Sequence, residues 1–356
     1  MATHAVTGRD LKPDNPAALL DAAEQALASG NFHRAIDLFS TANRYSHSSA
    51  IEQRLIELRI RAAQRLTWPE TPWSSHHDNR FESVVGFPEV GPDELDASVL
   101  RAGILGKGGL IVRGLMDQNM ASLMRDNIAR TLESRKLWAN GVPTTGETPW
   151  YTRSEAVAGG PVQFDASSAE KYTDTGSVWA VDSPPNAFRL IEFYRELGLP
   201  QILHEYFGED ALLSVKKWVL RCIAPNNGAQ SGWHQDGRFM GDGIRTVNLW
   251  IALSDCGSGA SAPGLDLVAD NSRQIYETGT HGADFDWTVG QGLVDEVSQR
   301  FPVIRPHFSA GDAVFFDHYN LHRTAFGQED RENRYAVESW FFAASTAPAK
   351  QQPLVF

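Results

Sequence analysis

The chain has 356 residues, which is enough for one large domain with an appendage or for two domains. Its hydrophobic fraction of 42% and charged fraction of 21% are those of an ordinary soluble globular protein. The formal net charge of −12 argues against a nucleic-acid partner, because binding to a phosphate backbone demands basic patches.

Targeting signals are not evident. No apolar run approaches the roughly 20 residues that span a bilayer, so no membrane association is expected. The N-terminal stretch "MATHAVTGRDLKPDNP" lacks the basic start and apolar core of a secretory signal. Two cysteines, Cys222 and Cys256, are too few for a disulfide framework, and a cytoplasmic location is therefore expected.

Residues 1–66 are predicted to form a helical segment, because apolar residues recur at three- and four-residue spacing. Within it, "GNFHRAIDLFSTA" resembles the middle of a tetratricopeptide (TPR) repeat. A solenoid needs about three repeats, and little more than one is found. A helical hairpin packed against the main domain is therefore favoured. Binding of a protein partner, or self-association, through residues 15–66 is the alternative.

Residues 67–92 are rich in proline, serine and tryptophan and are predicted to be a linker. A helix, the short strand "GLIVRGL" and a second helix then open a domain that spans residues 93–356. Residues 138–185 lack periodicity, and such long segments are often functional lids. The candidate substrate contacts in this predicted lid are Trp150, Tyr151 and Arg153. Simple packing is their alternative role.

From residue 211 onward, short strands are predicted. They are "LLSVKKWVLRCI", "RTVNLWIALSD", "GLDLVAD", "FPVIRPHF", "GDAVFFD" and "RYAVESWFFAA". Turns with glycine and proline separate them. This pattern favours a sandwich or a jelly-roll barrel.

The stretch "SGWHQDGRFMGDGIRTVNLW" contains His234 and Asp236 two residues apart. On a strand, this spacing would point both side chains to the same side. The chain has another His-x-Asp pair, His76 and Asp78, but that pair lies in the predicted linker, where nothing would hold it rigidly. Only the first pair is expected to be part of a metal site.

A third ligand is offered by "GDAVFFDHYNLHRTAF", which contains His318 and His322. Two neutral imidazoles and one carboxylate form the facial triad of non-haem Fe(II) oxygenases, which leaves coordination positions open. A dicarboxylate co-substrate would also need an arginine in the dry interior. Arg334, at the start of the last long strand, is the candidate, with Arg331 in the preceding turn as the reserve.

The order of these motifs resembles the iron(II)/2-oxoglutarate-dependent dioxygenases, most closely the phytanoyl-CoA dioxygenase-like branch. Five segments occur in that family's order and cover about residues 85–345: "GGLIVRGLMD", "HQD", "NLWIALSD", "GDAVFFDHYNLHRT" and "RYAVESWFF". The resemblance implies an α+β fold, with a double-stranded β-helix (jelly roll, cupin-like) flanked by helices. It also implies Fe(II), 2-oxoglutarate and O₂ as cofactors.

The same resemblance implies roles for individual residues. His234, Asp236 and His322 would bind Fe(II), and Arg334 would bind the 2-oxoglutarate carboxylate. His322 is favoured over His318 because the family places its ligand in "LHRT". Two more positions match the cofactor pocket: Gln235 and Trp250. Their alternative roles are satisfying backbone groups for Gln235 and core packing for Trp250.

The implied activity is hydroxylation, or another oxidation that begins at a C–H bond, of a small metabolite. It is coupled to decarboxylation of 2-oxoglutarate to succinate and CO₂. The loop "SDCGSGASAPGLDLVADNSRQIYE" departs from the family pattern, which argues against a fatty acyl-CoA substrate. Asp236 stands where related halogenases have a small residue, and it therefore favours hydroxylation. The alternatives are a binding or scaffold protein that works through its N-terminal helices, and a zinc hydrolase.

Overall fold

The computed structural model describes residues 16–142, 150–153, 176–225, 232–241 and 243–356. Within them, helices and strands form a mixed architecture, with one large, predominantly antiparallel sheet at its centre. The α+β class expected from the sequence is therefore correct. None of the described helices combines the length and the apolar character that a bilayer crossing requires.

The N-terminal segment forms three helices, α1 (Pro16–Ala28), α2 (Phe32–Tyr45) and α3 (Ser49–Arg65). The side chain of Asn31 caps α2 by accepting a hydrogen bond from the Arg34 amide. Apolar side chains of the three helices share one small core, which Phe188 of the main body completes. The helices are present as predicted. Their likeness to a TPR repeat stays a prediction.

The predicted helix, strand and helix follow as α4 (Ala97–Lys107), β2 (Leu110–Val112) and α5 (Gln118–Ala139). Strand β1 (Glu89–Val90) lies inside the segment predicted as a linker and pairs in parallel with β2. Three elements that the sequence did not predict precede the main strands: β3 (Ser177–Trp179), α6 (Pro184–Glu196) and α7 (Leu199–Phe207).

The large sheet has the strand order β1-β2-β10-β5-β12-β4-β13, and β3 pairs with β4. Its main strands are β4 (Ala211–Ile223), β5 (Thr246–Ala252), β10 (Ala313–Phe316), β12 (Arg334–Ala343) and β13 (Pro353–Leu354). A second sheet contains β11 (His322–Ala325), β7 (Gly264–Val268) and β8 (Val303–Ile304). The pair β6 (Cys256–Gly257) and β9 (His307–Phe308) and the short helices α8 (Gly237–Met240) and α9 (Gln291–Ser298) complete the fold.

The large sheet is buried on both faces. One face packs on the helices through side chains such as Trp218, Leu249 and Phe341. The other face carries Trp250 and packs against β7 of the second sheet. A cavity lies on this second face, and the functional side chains described below line it.

Strand β4 has a large irregularity where it pairs with β12. Trp218 is the partner of Ser339, and Leu213 is the partner of Phe341. Residues 214–217 of β4 therefore stand opposite Trp340 alone. Bulges of this kind redirect side chains next to functional sites, and this one places Lys217 at the cavity.

Candidate metal centre

His234 and His322 are held side by side by their own backbones. Each amide donates a hydrogen bond to the other residue's carbonyl, and both N···O distances are 3.0 Å. His322 is the first residue of β11, while His234 makes a single isolated bridge to it. The centroids of the two imidazole rings are 4.4 Å apart. Two residues that are distant in sequence thus present their rings to the same point.

Asp236 joins them by a route that the sequence did not predict. We expected a strand in which positions 234 and 236 face the same side, but Asp236 has helical backbone angles (φ −64°, ψ −24°) and precedes α8. The expected reason was therefore wrong, although the two side chains do converge. The ligand atoms of His234, Asp236 and His322 all lie within 4.8 Å of one another.

The tautomers of both histidines suit metal binding. The Nδ1 atom of His234 lies 2.9 Å from the Gly232 carbonyl, and that of His322 lies 3.1 Å from the Asn320 carbonyl. A carbonyl only accepts hydrogen bonds, so Nδ1 carries the proton and Nε2 keeps its lone pair for a metal. Burial lowers the pKa of His234 to about 4, which keeps its imidazole neutral at physiological pH.

The carboxylate of Asp236 is buried, and each of its two oxygens lies near a different neighbouring side chain. Its Oδ2 lies 3.7 Å from Nε2 of His322, and its Oδ1 accepts a hydrogen bond from Lys217 Nζ at 2.6 Å. Burial, the largest single influence, raises the pKa of Asp236, but the charges of Lys217, His322 and His234 and the hydrogen bond from Lys217 together outweigh it and hold the pKa well below its usual range. Asp236 is therefore ionised, as a metal ligand must be.

A cavity of about 380 Å³ lies next to this cluster, within the size range of small-molecule sites. Arg334 lines it and is only 1% exposed. Its Nη1 donates to the Gly264 carbonyl at 2.6 Å, and its Nη2 is 3.4 Å from Thr324 Oγ1. Among the described residues no carboxylate pairs with it, and its Nε has no hydrogen-bond partner. Burial lowers the pKa of Arg334 to about 10, so it remains a cation.

A buried arginine without a carboxylate partner lowers the stability of the fold unless a bound anion neutralises its charge. Arg334 thus fits the carboxylate of a co-substrate, and the cluster of His234, Asp236 and His322 fits a metal that prefers nitrogen and oxygen ligands. Trp250 also lines the cavity, with the centroid of its ring 5.6 Å from the Arg334 guanidinium carbon.

Gln235 does not line the cavity among the described residues. Its Nε2 donates to the carbonyls of Gln274 and Tyr319, and its Oε1 accepts from the amide of Tyr276. The alternative role holds: the side chain ties two loops to the segment that carries His234 and Asp236. Its predicted contact with the cofactor stays a prediction.

The predicted substrate contacts lie elsewhere. Trp150 stacks under Arg130 of α5, and Tyr151 and Arg153 both pack on Trp138 at the end of the same helix. None of the three lines the cavity. Most of the predicted lid, residues 143–149 and 154–175, lies outside the described residues.

His318 was the rival to His322, and strand parity was expected to place both on one face. The structure corrects this, because β10 ends at Phe316 and His318 lies in a turn. The His318 Nδ1 is 2.8 Å from Thr246 Oγ1, and burial lowers its pKa to about 3. It is outside the metal cluster. The reserve arginine, Arg331, has a side chain that is 65% exposed.

Several cavity residues were missed by sequence reasoning. Lys217 and Arg221 are charged residues in a strand that is mostly apolar. This contrast could have indicated a functional role. Arg221 forms an ion pair with Glu338 at 2.7 Å. Asn248 is buried at the cavity, and its Oδ1 has no hydrogen-bond partner. Two more lie in a long loop: Phe285 and Trp287.

The family model described as phytanoyl-CoA dioxygenase (PhyH) matches residues 195–326, which include all three members of the metal cluster. The resemblance to the phytanoyl-CoA dioxygenase family is thereby confirmed. Arg334 lies just beyond the matched segment. The predicted cofactors are Fe(II), 2-oxoglutarate and O₂. A match to a dioxygenase family and a cluster of two histidines and one aspartate agree with these cofactors, and the prediction is confirmed to this extent. The match supports an oxygenase of this general class. It favours neither a binding or scaffold protein nor a zinc hydrolase.

The chain is also similar to solved structures at low sequence identity. The nogalamycin-biosynthesis carbocyclase SnoK, described as non-haem and α-ketoglutarate dependent, is 14% identical, with 71% of this chain and 86% of SnoK covered and a TM-score of 0.45. EctD from S. alaskensis, crystallised with 2-oxoglutarate and 5-hydroxyectoine, is 16% identical, with 70% and 76% covered and a TM-score of 0.45. AviO1 from Streptomyces viridochromogenes Tue57 is 18% identical, with 68% and 92% covered and a TM-score of 0.42. No curated protein matches the chain.

Proposed function

We propose that this protein is a non-haem Fe(II)/2-oxoglutarate-dependent oxygenase that hydroxylates a small metabolite at a C–H bond. In this reaction 2-oxoglutarate is decarboxylated to succinate and CO₂. The observation that carries the proposal is the pairing of a buried His-Asp-His cluster with a buried arginine that has no carboxylate partner among the described residues, both lining one cavity.

The residues of the chain have separate roles in this proposal. His234 and His322 offer neutral Nε2 atoms because their Nδ1 protons are held by backbone carbonyls. Asp236 completes the triad. Arg334, together with Thr324, binds the distal carboxylate of the co-substrate. Iron held by His234, Asp236 and His322 would supply the activation of O₂, and the apolar walls around Trp250 would keep water away from the metal.

The proposed domain organisation follows the same reasoning. The large sheet and the β11-β7-β8 sheet enclose the cavity between them, which supports a jelly-roll core within residues 93–356. Residues 1–66 are proposed to be a helical appendage and residues 67–92 a connecting segment. Part of residues 138–185 is proposed as a lid.

The proposal is tested by adding Fe(II) and 2-oxoglutarate without O₂. We expect a weak visible charge-transfer band from the chelated co-substrate, and no band with His234→Ala. A zinc hydrolase or a scaffold protein would give none. A screen of metabolites for stimulated succinate formation would then identify the substrate. Absence of the band in the correctly folded wild-type protein would refute the proposal.

A further inference from the structure

We infer that the substrate of this site carries a single negative charge, of the carboxylate kind, attached to a flat apolar body. This inference rests on the proposed function. It concerns the part of the cavity that would remain for a substrate once the metal and the co-substrate are bound. Two observations point to it: the sum of the charges that line the cavity, and a pair of aromatic rings beside the metal cluster.

The charges are counted from the described residues that line the cavity. The cations are Lys217, Arg221 and Arg334, and the anions are Asp236 and Glu338, which leaves one positive charge. Ferrous iron carries two positive charges and 2-oxoglutarate carries two negative ones, so their binding does not change the sum. An enclosed, uncompensated charge is costly. A substrate with one negative charge removes this cost.

The position of the extra cationic groups also fits a ligand. Lys217 is directed to the cavity by the β4 bulge, next to the metal cluster, where it contacts Asp236. Arg221 lies four residues further along the same strand and contacts Glu338. Both side chains are mostly buried, at 16% and 21% exposure. They are separate from Arg334, which the co-substrate occupies in the proposed function.

A monoanion is favoured over a phosphate ester, because a phosphomonoester carries about −1.5 to −2 charge at neutral pH and would overcompensate the cavity. The same count disfavours a coenzyme A thioester, whose phosphates add several negative charges.

The apolar part of the substrate is inferred from two rings. Phe285 and Trp287 stack at 5.6 Å with an interplanar angle of 8°. They are 48% and 42% exposed, yet they line the cavity. The Trp287 ring lies 6.0 Å from the His234 ring. Exposed aromatic side chains beside a reaction centre are suited to stacking with a flat apolar group.

The test uses isothermal titration of the full-length protein loaded with Mn(II) and 2-oxoglutarate. The probes are phenylacetate, 3-phenylpropanoate and 4-phenylbutanoate, each with its neutral amide as the matched control. At least one acid is expected to bind about tenfold more tightly than its amide, because hydrogen bonds to an ionised group are stronger than those to a neutral one.

Two isosteric variants shift the cavity charge in opposite directions. Arg221→Gln lowers the sum to zero and is expected to reduce the preference for acid over amide about tenfold. Glu338→Gln raises the sum and is expected to increase that preference. Trp287→Leu should weaken acid and amide alike. Arg305→Gln is the matched control, because Arg305 pairs with Asp266 and does not line this cavity.

Equal affinities for acids and amides in the wild-type protein, or no binding of any acid, would overturn the inference, as would a preference that moves the same way in both isosteric variants. The Fe(II)–2-oxoglutarate band reports on the proposed function separately. If that band forms while acids and amides bind equally, only the substrate class is wrong. If no band forms, the function itself fails.

Discussion

His234 and His322 exchange both backbone hydrogen bonds, and this pairing sets the distance between their rings before any metal binds. Antiparallel residues paired in this way sit directly opposite each other. The geometry of the metal centre is therefore a property of the polypeptide backbone, and the side chains need little reorganisation to meet an ion.

The pairing leads to a prediction about the two candidate histidines. His234→Ala and His322→Ala are each expected to weaken Mn(II) binding by more than about 100-fold, since even the removal of outer partners of a ligand costs 10- to 100-fold. His318→Ala is the matched control and should retain the affinity, because its ring contacts Thr246 instead. Calorimetric titration measures this. Loss of binding in His318→Ala as complete as in His322→Ala would contradict the assignment.

Arg334 is predicted to determine the affinity for 2-oxoglutarate. Arg334→Gln should raise the dissociation constant about 30-fold or more, because loss of one partner of a buried charged pair costs at least about 2 kcal/mol. Titration of the visible charge-transfer band with 2-oxoglutarate measures this constant. Arg331→Gln is the control, since that side chain is exposed, contacts neighbouring residues of its own turn and does not line the cavity. An unchanged constant in Arg334→Gln would refute the assigned role.

Lys217 is predicted to stabilise the metal-free protein through Asp236. Lys217→Met should lower the free energy of unfolding by about 3 kcal/mol, the cost of leaving a buried charge unpaired. Saturating Mn(II) should shrink this difference, because the ion then neutralises Asp236. Urea unfolding with a chelator and with Mn(II) measures both values. Lys216→Met, one position earlier in the same bulge, should show neither effect, and a loss that Mn(II) does not change would contradict the prediction.

His318 is predicted to contribute to acid sensitivity. Its folded-state pKa of about 3 lies below the value of about 6.5 in an unfolded chain. The unfolded state therefore binds the proton first as the pH falls, and the stability present above pH 6.5 is lost towards pH 3. At pH 5 the loss is about 2 kcal/mol. Urea unfolding at pH 7 and pH 5 should show this loss in the wild type, beyond that of His318→Gln. Equal losses would refute it.

The metal triad and Arg334 could be predicted from sequence because each lies in a short local motif with a strand beside it. The bounds of β10 and the start of β12 match the predicted ones for the same reason. Lys217 could not be assigned in this way. Its direction depends on the register between β4 and β12, which is set by pairing over a long sequence distance. The turn at Asp236 was likewise missed, because the presence of two candidate ligands two residues apart does not by itself tell a strand from the start of a helical turn.

Phe285 and Trp287 illustrate the other limit of sequence reasoning. They belong to a loop without periodicity, so nothing local predicts that they stack or that they face His234. The loop is placed by contacts such as the bridge between Trp233 and Val289. Such contacts are decided by the folded structure as a whole.

The contact between α3 and the C-terminus has a practical consequence for protein engineering. Arg59 donates to the carbonyl of Val355, and the Val355 amide donates to the carbonyl of Arg59. The adjacent strand β13 covers the edge of β4, the strand that carries Lys217. Trimming the chain to residues 67–356 would remove the hydrogen bonds between α3 and the C-terminal segment. The edge of β4 would then be open to pairing with other molecules. The N-terminal helices are thus a poor place to truncate, and purification tags are better placed ahead of α1 than behind Phe356, whose ring packs on Phe341.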